Sequence, residues 1–248
     1  RNKVIANNGS LARTKITWFY PNSMSPRRLA QLRMAWNDSY TELFNHDGAT
    51  RNLSESVAPI QFYFRRYATT TNLVNVDIGG GTTDIAFSSN GKVEYITSFK
   101  FAANSLFEDS FSDINPNNGI VDWFKNDILG LLQSKPGTDF NELVNIYNSN
   151  LRQPADMASY LFSLKGNSAT KDLSRNNIDF NKILQNDTKF KIVFIIFYTA
   201  IIYHIAQIVK TKGLKVPRHI SFSGNGSKII SIISSDPNII RKYTKIII

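Results

Sequence analysis

The chain contains 248 residues, of which 42% are hydrophobic and 12% aromatic, a composition that predicts a globular protein with a buried core. No cysteine is present, which excludes disulfides and thiolate metal sites and makes the cytoplasm the expected location. The formal net charge of +10 suggests an anionic partner, but the 29 Lys and Arg residues are dispersed and do not alternate with aromatic residues, so we expect a solvated basic surface and no nucleic-acid partner.

The first predicted elements are a strand and two helices. Residues 15–20 are β-branched and aromatic and predict a strand that Pro21 ends. Ser25 is typical of a helix N-cap and Pro26 of a first helical position, so we expect a helix that ends near Phe44. A second helix is predicted over residues 56–66. Glu55 directly precedes it, where an acid is favourable on electrostatic grounds alone.

A glycine-rich turn follows, within residues 72–87, and it separates two predicted strands. Glycine lets the backbone approach a ligand closely, and successive N–H groups of such a turn can point at an anion. We therefore expect a phosphate at this turn, with threonine hydroxyls as additional donors. The residues concerned are Gly79, Gly80, Gly81, Thr82 and Thr83.

Two carboxylates, Asp77 and Asp84, flank this turn. Negative charge beside a phosphate is reasonable if Mg²⁺ and its water molecules lie between them. An ordinary hairpin with a glycine-rich turn is the alternative. The turn is neither a Walker A loop, since no Gly-Lys-Ser/Thr follows, nor a Rossmann fingerprint, since a strand comes next and not a helix.

The middle of the chain changes from strand to helix. Residues 92–99 alternate in polarity after an Asn-Gly turn and predict a third strand. A helix is expected to begin near residue 100. Residues 114–188 are rich in Asn, Asp and Ser, and we interpret them as a mostly helical insertion with helices near 121–132, 140–147 and 157–164.

Residues 190–209 form the most apolar stretch and are long enough to cross a bilayer. Several polar residues interrupt the stretch, so we expect a buried core helix and no membrane contact. Gly213 is a reasonable end for this helix. A strand over residues 218–222 then leads into a second glycine turn and a helix; the residues of the turn are Gly224, Asn225, Gly226, Ser227 and Lys228.

The pattern from Asp77 to Asp84 resembles the second phosphate motif of the actin-like ATPase superfamily, which includes actin, heat-shock chaperone ATPases, sugar kinases and bacterial filament proteins. In that family, an Asp-x-Gly-Gly-Gly-Thr-x-Asp hairpin holds the β- and γ-phosphates of ATP. The resemblance implies that residues 79–83 contact ATP, that Asp77 is catalytic, and that Asp77 and Asp84 hold Mg²⁺ through water.

Two further segments resemble the same family. The second glycine turn is similar to its adenosine motif, with Asn225 in place of a glycine and Lys228 where the chaperones have an arginine beside adenine. Glu55 stands where the chaperone ATPases carry a glutamate that positions the attacking water, although Pro59 replaces a family alanine. The resemblance thus implies a catalytic role for Glu55.

The fold that the resemblance implies is an α/β, ribonuclease H-like lobe with a mixed five-stranded sheet flanked by helices. Residues 1–113 and 189–248 would form its core and residues 114–188 the insertion. No Asp-x-Gly-Ser/Thr hairpin of a first lobe is visible in the sequence, so we expect a fragment that supplies the second lobe only.

The expected parent is a chaperone-like ATPase that binds ATP and Mg²⁺ between two lobes and uses hydrolysis to drive a conformational change. The isolated fragment is expected to be inactive, since its missing first lobe would supply half of the phosphate contacts. The alternatives are a bacterial filament protein, a small-molecule kinase, or a degenerate scaffold. Expected partners are the nucleotide, the first lobe, and a protein partner or further copies of the chain.

Overall fold

The computed structural model describes residues 1–44, 50–67, 72–107, 120–134, 138–150, 154–166, 179–234 and 236–247. The chain divides into two units. The first unit comprises Arg1–Asp77, Thr83–Phe99 and Val216–Ser223, and the second comprises Ile78–Thr82, Lys100–Lys215 and Gly224–Ile248.

The described residues form six strands, ten α-helices and three short 3-10 helices. The strands are β1 (Thr17–Tyr20), β2 (Arg51–Ser54), β3 (Leu73–Ile78), β4 (Thr83–Ser89), β5 (Lys92–Phe99) and β6 (His219–Ser223). The α-helices are α1 (Asn2–Ala6), α2 (Pro26–Phe44), α3 (Ala58–Tyr67), α4 (Ala103–Phe107), α5 (Val121–Gln133), α6 (Thr138–Asn150), α7 (Pro154–Ser163), α8 (Phe180–Asn186), α9 (Thr188–Lys212) and α10 (Pro237–Ile247). Short 3-10 helices lie at Leu11–Arg13, Leu164–Gly166 and Asn225–Ile232.

The first unit begins with β1, α2 and β2, and β1 and β2 pair in parallel. The predicted bounds of α2 are confirmed: Pro26 is its first residue and Phe44 its last. The Ser25 hydroxyl oxygen accepts a hydrogen bond from the Arg28 N–H at 3.4 Å, as expected of an N-cap. Trp18 anchors this part by stacking on Trp36, with ring centroids 6.0 Å apart.

The larger sheet has four strands in the order β5-β4-β3-β6. β3 and β6 are parallel, whereas β4 and β5 are antiparallel, so the sheet is mixed, as expected. The predicted five-stranded sheet is not confirmed within the described residues, because β1 and β2 pair with each other in a separate sheet. Ile60 of α3 packs with Leu73 and Ala86 in the core under this sheet.

The second unit is built around α9, which was predicted as a buried core helix. By length and composition this helix could also cross a membrane. Eight of its side chains are buried within the protein: Phe190, Phe194, Phe197, Tyr198, Ile201, Ile202, Ile205 and Ile208. Gly213 ends the helix in the left-handed conformation, with φ of 62°, which confirms the predicted stop. Tyr198 and Thr199 hydrogen-bond to Thr244 and Tyr243 of α10.

The described helices within residues 114–188 lie in the same unit as α4 and α9. Aromatic contacts explain this result: Phe162 of α7 packs edge-on against Phe107 of α4 and against Phe180 of α8, and Phe107 stacks on Phe190 of α9. The helical segment therefore shares one core with α9, and its status as a separate subdomain stays a prediction.

Candidate functional site

The first glycine turn connects β3 to β4. The Gly79 N–H donates to the Thr82 carbonyl oxygen at 3.0 Å and closes the turn. The start of α4 fixes its other side, since Ala103 N–H donates to the Gly79 carbonyl at 3.2 Å and Asn104 N–H to the Gly80 carbonyl at 2.8 Å. These bonds occupy two carbonyl groups of the turn. In the described part of the chain, the Gly80 and Gly81 N–H groups donate to no other backbone group.

A positive φ does not account for the glycines of this turn, since none of Gly79, Gly80 and Gly81 has one. A Cβ at Gly79 would lie 3.1 Å from the Thr82 carbonyl oxygen, a tight contact with backbone. One at Gly80 would lie 2.9 Å from the Asn104 Oδ1, so the Asn104 side chain would have to shift to admit a larger residue.

The second glycine turn follows β6 and makes two separate demands on glycine. Gly224 adopts a left-handed φ of 81°, which favours glycine, whereas Asn225 has no positive φ. Gly226 is buried, and a Cβ there would lie 2.7 Å from the Ile78 carbonyl oxygen and 2.8 Å from that of Gly79. The second turn therefore lies directly on the backbone at the start of the first.

A pocket of 560 Å³ in the second unit is lined by both turns. The predicted residues that line it are Gly79, Gly80, Asn225, Gly226 and Lys228. Four other predicted residues, Gly81, Thr82, Gly224 and Ser227, are not among the lining residues. Thr83 is fully buried at the start of β4 in the first unit.

Helices contribute polar groups to this pocket that sequence reasoning missed. Ser159 and Ser163 of α7 and Asn181 of α8 line it, as do Asn104 and two aromatic residues, Phe107 and Phe162. Ser159 and Ser163 stand four residues apart and share one helix face. That spacing is the one signal the sequence offered, and it lies in a segment rich in serine and asparagine, where such pairs are common.

Three carboxylates of the first unit form an acidic group: Glu55, which precedes α3, Asp77 near the end of β3, and Asp84 at the start of β4. Burial, followed by the charges of Asp77 and Asp84, raises the pKa of Glu55. Burial and the Asp84 charge also raise the pKa of Asp77, while a hydrogen bond from Ser223 opposes this rise. The three side chains therefore repel one another when ionised.

Asp84 is the most deeply placed of the three, with 5% of its surface exposed. Its Oδ1 has no hydrogen-bond partner among the described residues. A buried carboxylate oxygen without a partner is costly, and a cation or its bound water would remove that cost. The chemistry of the acidic group therefore fits Mg²⁺, although no three His, Cys, Asp or Glu side chains within the described ranges are placed to hold a metal ion directly.

No protein-family model matches the chain, and no curated protein matches it. Among solved structures, the chain is similar to the Ppx/GppA phosphatase of Aquifex aeolicus, type II variant, with 16% identity and a TM-score of 0.30. The match covers 70% of this chain and 63% of the phosphatase chain.

Proposed function

We propose that this chain is the nucleotide-binding part of an actin-like, chaperone-like ATPase that binds ATP together with Mg²⁺. The observation that carries the proposal is the contact between the two glycine turns. Gly226 lies against the backbone of Ile78 and Gly79, and both turns line one pocket. The two loops are far apart in sequence, and they meet so closely that a Cβ does not fit between them. We expect such an arrangement where a ligand contacts the backbone of both loops, because glycine allows close approach.

The pocket of the second unit suits the nucleoside part of such a ligand. Its volume of 560 Å³ lies within the roughly 300–1,000 Å³ that is usual for small-molecule sites. Phe107 and Phe162 offer apolar surface to a base. Ser159, Ser163 and Asn181 offer the hydroxyl and amide groups that orient one.

The first glycine turn is proposed as the phosphate-binding segment. Gly79 N–H is already bonded to the Thr82 carbonyl, so the N–H groups of Gly80 and Gly81 are the donors that we assign to phosphate oxygens. Lys228 lines the same pocket and supplies positive charge.

The acidic group is proposed to serve the reacting end of the nucleotide. Asp77 and Asp84 are the first and last residues of the segment that resembles the phosphate motif of the actin-like ATPases, and this resemblance supports the assignment. When bound, Mg²⁺ would neutralise phosphate charge, and Asp77 and Asp84 are the residues that would hold it through water. Glu55, whose pKa is raised, is proposed to orient the attacking water and accept its proton.

Calorimetry of the full-length parent protein with ATP and Mg²⁺ tests this function, since the isolated lobe is expected to be inactive. We expect the protein to bind, and Lys228→Ala to weaken binding by roughly tenfold, because one charge-assisted contact is lost. Lys210→Ala is the matched control, since Lys210 is an exposed lysine of the same unit that does not line the pocket. Asp77→Ala should abolish hydrolysis. Absence of heat with ATP and Mg²⁺, with unaltered behaviour of the Asp77 variant, would instead support a scaffold that binds a protein partner.

A further inference from the structure

A chain of hydrogen bonds in the first unit connects the segment of Glu55 to Asp77. The Asn75 Nδ2 donates to the Ser56 carbonyl oxygen at 3.2 Å and to the Ser223 Oγ at 3.0 Å. The Ser223 hydroxyl in turn donates to the Asp77 Oδ2 at 2.8 Å. The Ser56 carbonyl can only accept, so the Asn75 amide nitrogen donates to it, and the second N–H of the same nitrogen donates to Ser223. The Ser223 hydroxyl hydrogen is then available for the carboxylate of Asp77.

Stability alone does not account for Asn75. Its side chain is fully buried, and its Oδ1 has no hydrogen-bond partner among the residues the structure describes. A half-satisfied buried amide is usually less favourable than an apolar side chain of the same shape. The two N–H bonds of Asn75 therefore indicate a role beyond packing.

The backbone around Glu55 is held from its other side as well. Glu55 N–H donates to the Tyr20 carbonyl oxygen at 3.0 Å, and Asn22 Nδ2 donates to the Ser56 Oγ at 2.6 Å. Ser54 Oγ lies 3.1 Å from the Ser56 Oγ and also bonds to Asn22. Ser54 and Ser56 are both buried, so these bonds are shielded from water.

We infer that Asn75 and Ser223 are positioning residues: the Asn75 amide bridges the Ser56 carbonyl and the Ser223 hydroxyl, and so fixes the backbone of Glu55 relative to the carboxylate of Asp77. Asn75 acts on the Glu55 side of the bridge and Ser223 on the Asp77 side. The catalytic consequence rests on the proposed function, in which Glu55 and Asp77 must hold the water and the metal shell in one geometry. The structural consequence, that Asn75 fixes the Glu55 backbone, does not depend on the proposed function.

The structural part is tested by hydrogen exchange on the purified protein. Asn75→Leu keeps the shape of the side chain and removes both N–H donors, so we expect exchange of the Glu55 and Val57 amides to accelerate by about tenfold, the equivalent of one lost hydrogen bond. Ser88→Ala is the matched control, because the buried Ser88 hydroxyl of the same sheet donates to the Leu73 carbonyl oxygen at 3.2 Å. Equal exchange at residues 55 and 57 in Asn75→Leu and in the unaltered protein would overturn the inference.

The catalytic part is tested by steady-state hydrolysis of ATP with Mg²⁺ by the full-length parent protein. Ser223→Ala should lower kcat by roughly 10- to 100-fold, because the carboxylates of Glu55 and Asp77 are no longer held in position. KM should be nearly unchanged, because the residues that line the pocket are not altered. Ser223→Thr keeps the hydroxyl and should restore kcat, and Ser88→Ala should leave it unaltered. A Ser223→Ala protein with full kcat, or a Ser88→Ala protein with the same loss, would contradict the assignment.

The two assays separate the two proposals. A protein that neither binds nor hydrolyses ATP refutes the proposed function, while the exchange measurement still decides whether Asn75 fixes the Glu55 segment. If Asn75→Leu does not fold, Ser223→Ala replaces it in the exchange experiment, and the exchange rate of the Asp77 amide is measured. An exchange rate equal to that of the unaltered protein would count against the inference.

Discussion

Gly226 lies against the backbone of Ile78 so closely that a methyl group on Gly226 would stand 2.7 Å from the Ile78 carbonyl oxygen. Neither backbone can move aside as a flexible side chain would. This contact joins the two glycine turns, and it gives the first prediction.

We expect Gly226→Ala to lower the free energy of unfolding by about 1–3 kcal/mol, as other overpacked sites do. The matched control is Gly130→Ala in α5, where an added Cβ meets nothing within 4 Å. In that exposed helix position alanine should stabilise by roughly 0.5–1 kcal/mol. Urea denaturation of both variants decides the point, and equal stability of the two would contradict the close approach.

Asn181 of α8 lines the pocket that is proposed to hold the nucleoside. We expect Asn181→Ala to weaken binding of ATP by about tenfold, because one buried amide contact is lost. Asn186→Ala on the same helix is the control, since Asn186 is exposed and does not line this pocket. Calorimetric titration measures both. A similar loss in the two variants would mean that the effect comes from α8 as a whole.

Asp84 is predicted to reduce stability in the absence of Mg²⁺. It lies buried with an unpartnered oxygen, and its charge raises the pKa of both Glu55 and Asp77. Asp84→Asn should therefore raise the melting temperature without Mg²⁺, by about 2–4 °C for each kcal/mol of relieved repulsion. The same variant should lose any stabilisation by added Mg²⁺.

Asp179→Asn provides the opposite case. Asp179 is also buried, but its Oδ2 lies 3.1 Å from the Lys165 Nζ, so its charge has a partner. The melting temperature of Asp179→Asn should fall. If the melting temperature of Asp84→Asn falls as well, Asp84 has a stabilising partner in the protein, and the assignment of its Oδ1 to a cation fails.

The pH dependence of stability follows from the acidic group. A carboxyl group whose pKa is raised on folding favours the folded state below its ordinary pKa, and this contribution is lost as pH rises through the raised value. For Glu55 the ordinary value is 4.5, so the loss occurs above that pH. Without Mg²⁺, we expect the unaltered protein to lose stability relative to Glu55→Gln as pH rises from about 4 toward neutrality.

Thermal melts in a chelating buffer at several pH values measure this difference. Added Mg²⁺ should cancel most of it, because the cation compensates the ionised carboxylates. A difference between the two proteins that does not change with pH would show that Glu55 is not repelled by its neighbours.

The sequence predicted the elements whose signals are local. Pro26 after Ser25 predicted the start of α2, and strict alternation predicted β5 over Lys92–Phe99, and both are confirmed. The first glycine turn was also placed correctly between two strands, and the second directly after its strand. The acids and glycines of these turns are neighbours in the sequence, so they could be recognised without knowledge of any tertiary contact.

Features that depend on tertiary contacts were missed. β2 is four residues long and mostly polar, and it is a strand because it pairs with β1. Ser163 and Asn181 reach the pocket because aromatic packing brings α7 and α8 together. The crowding of Gly80 by Asn104 likewise depends on the packing of α4 against the turn, which the sequence of the helix does not indicate.

The hydrogen bond from Ser223 to Asp77 joins residues 146 positions apart, so it also bears on how the protein folds. During synthesis, the strands that carry Asp77 and Asp84 emerge long before β6, and until β6 arrives the hydrogen bond from Ser223 to Asp77 cannot form. Closing so long a loop costs chain entropy and slows folding. We therefore expect β6 to dock late, and a ribosome-bound chain that ends before residue 219 to leave the edge of β3 open to pairing with other chains, where chaperones would act.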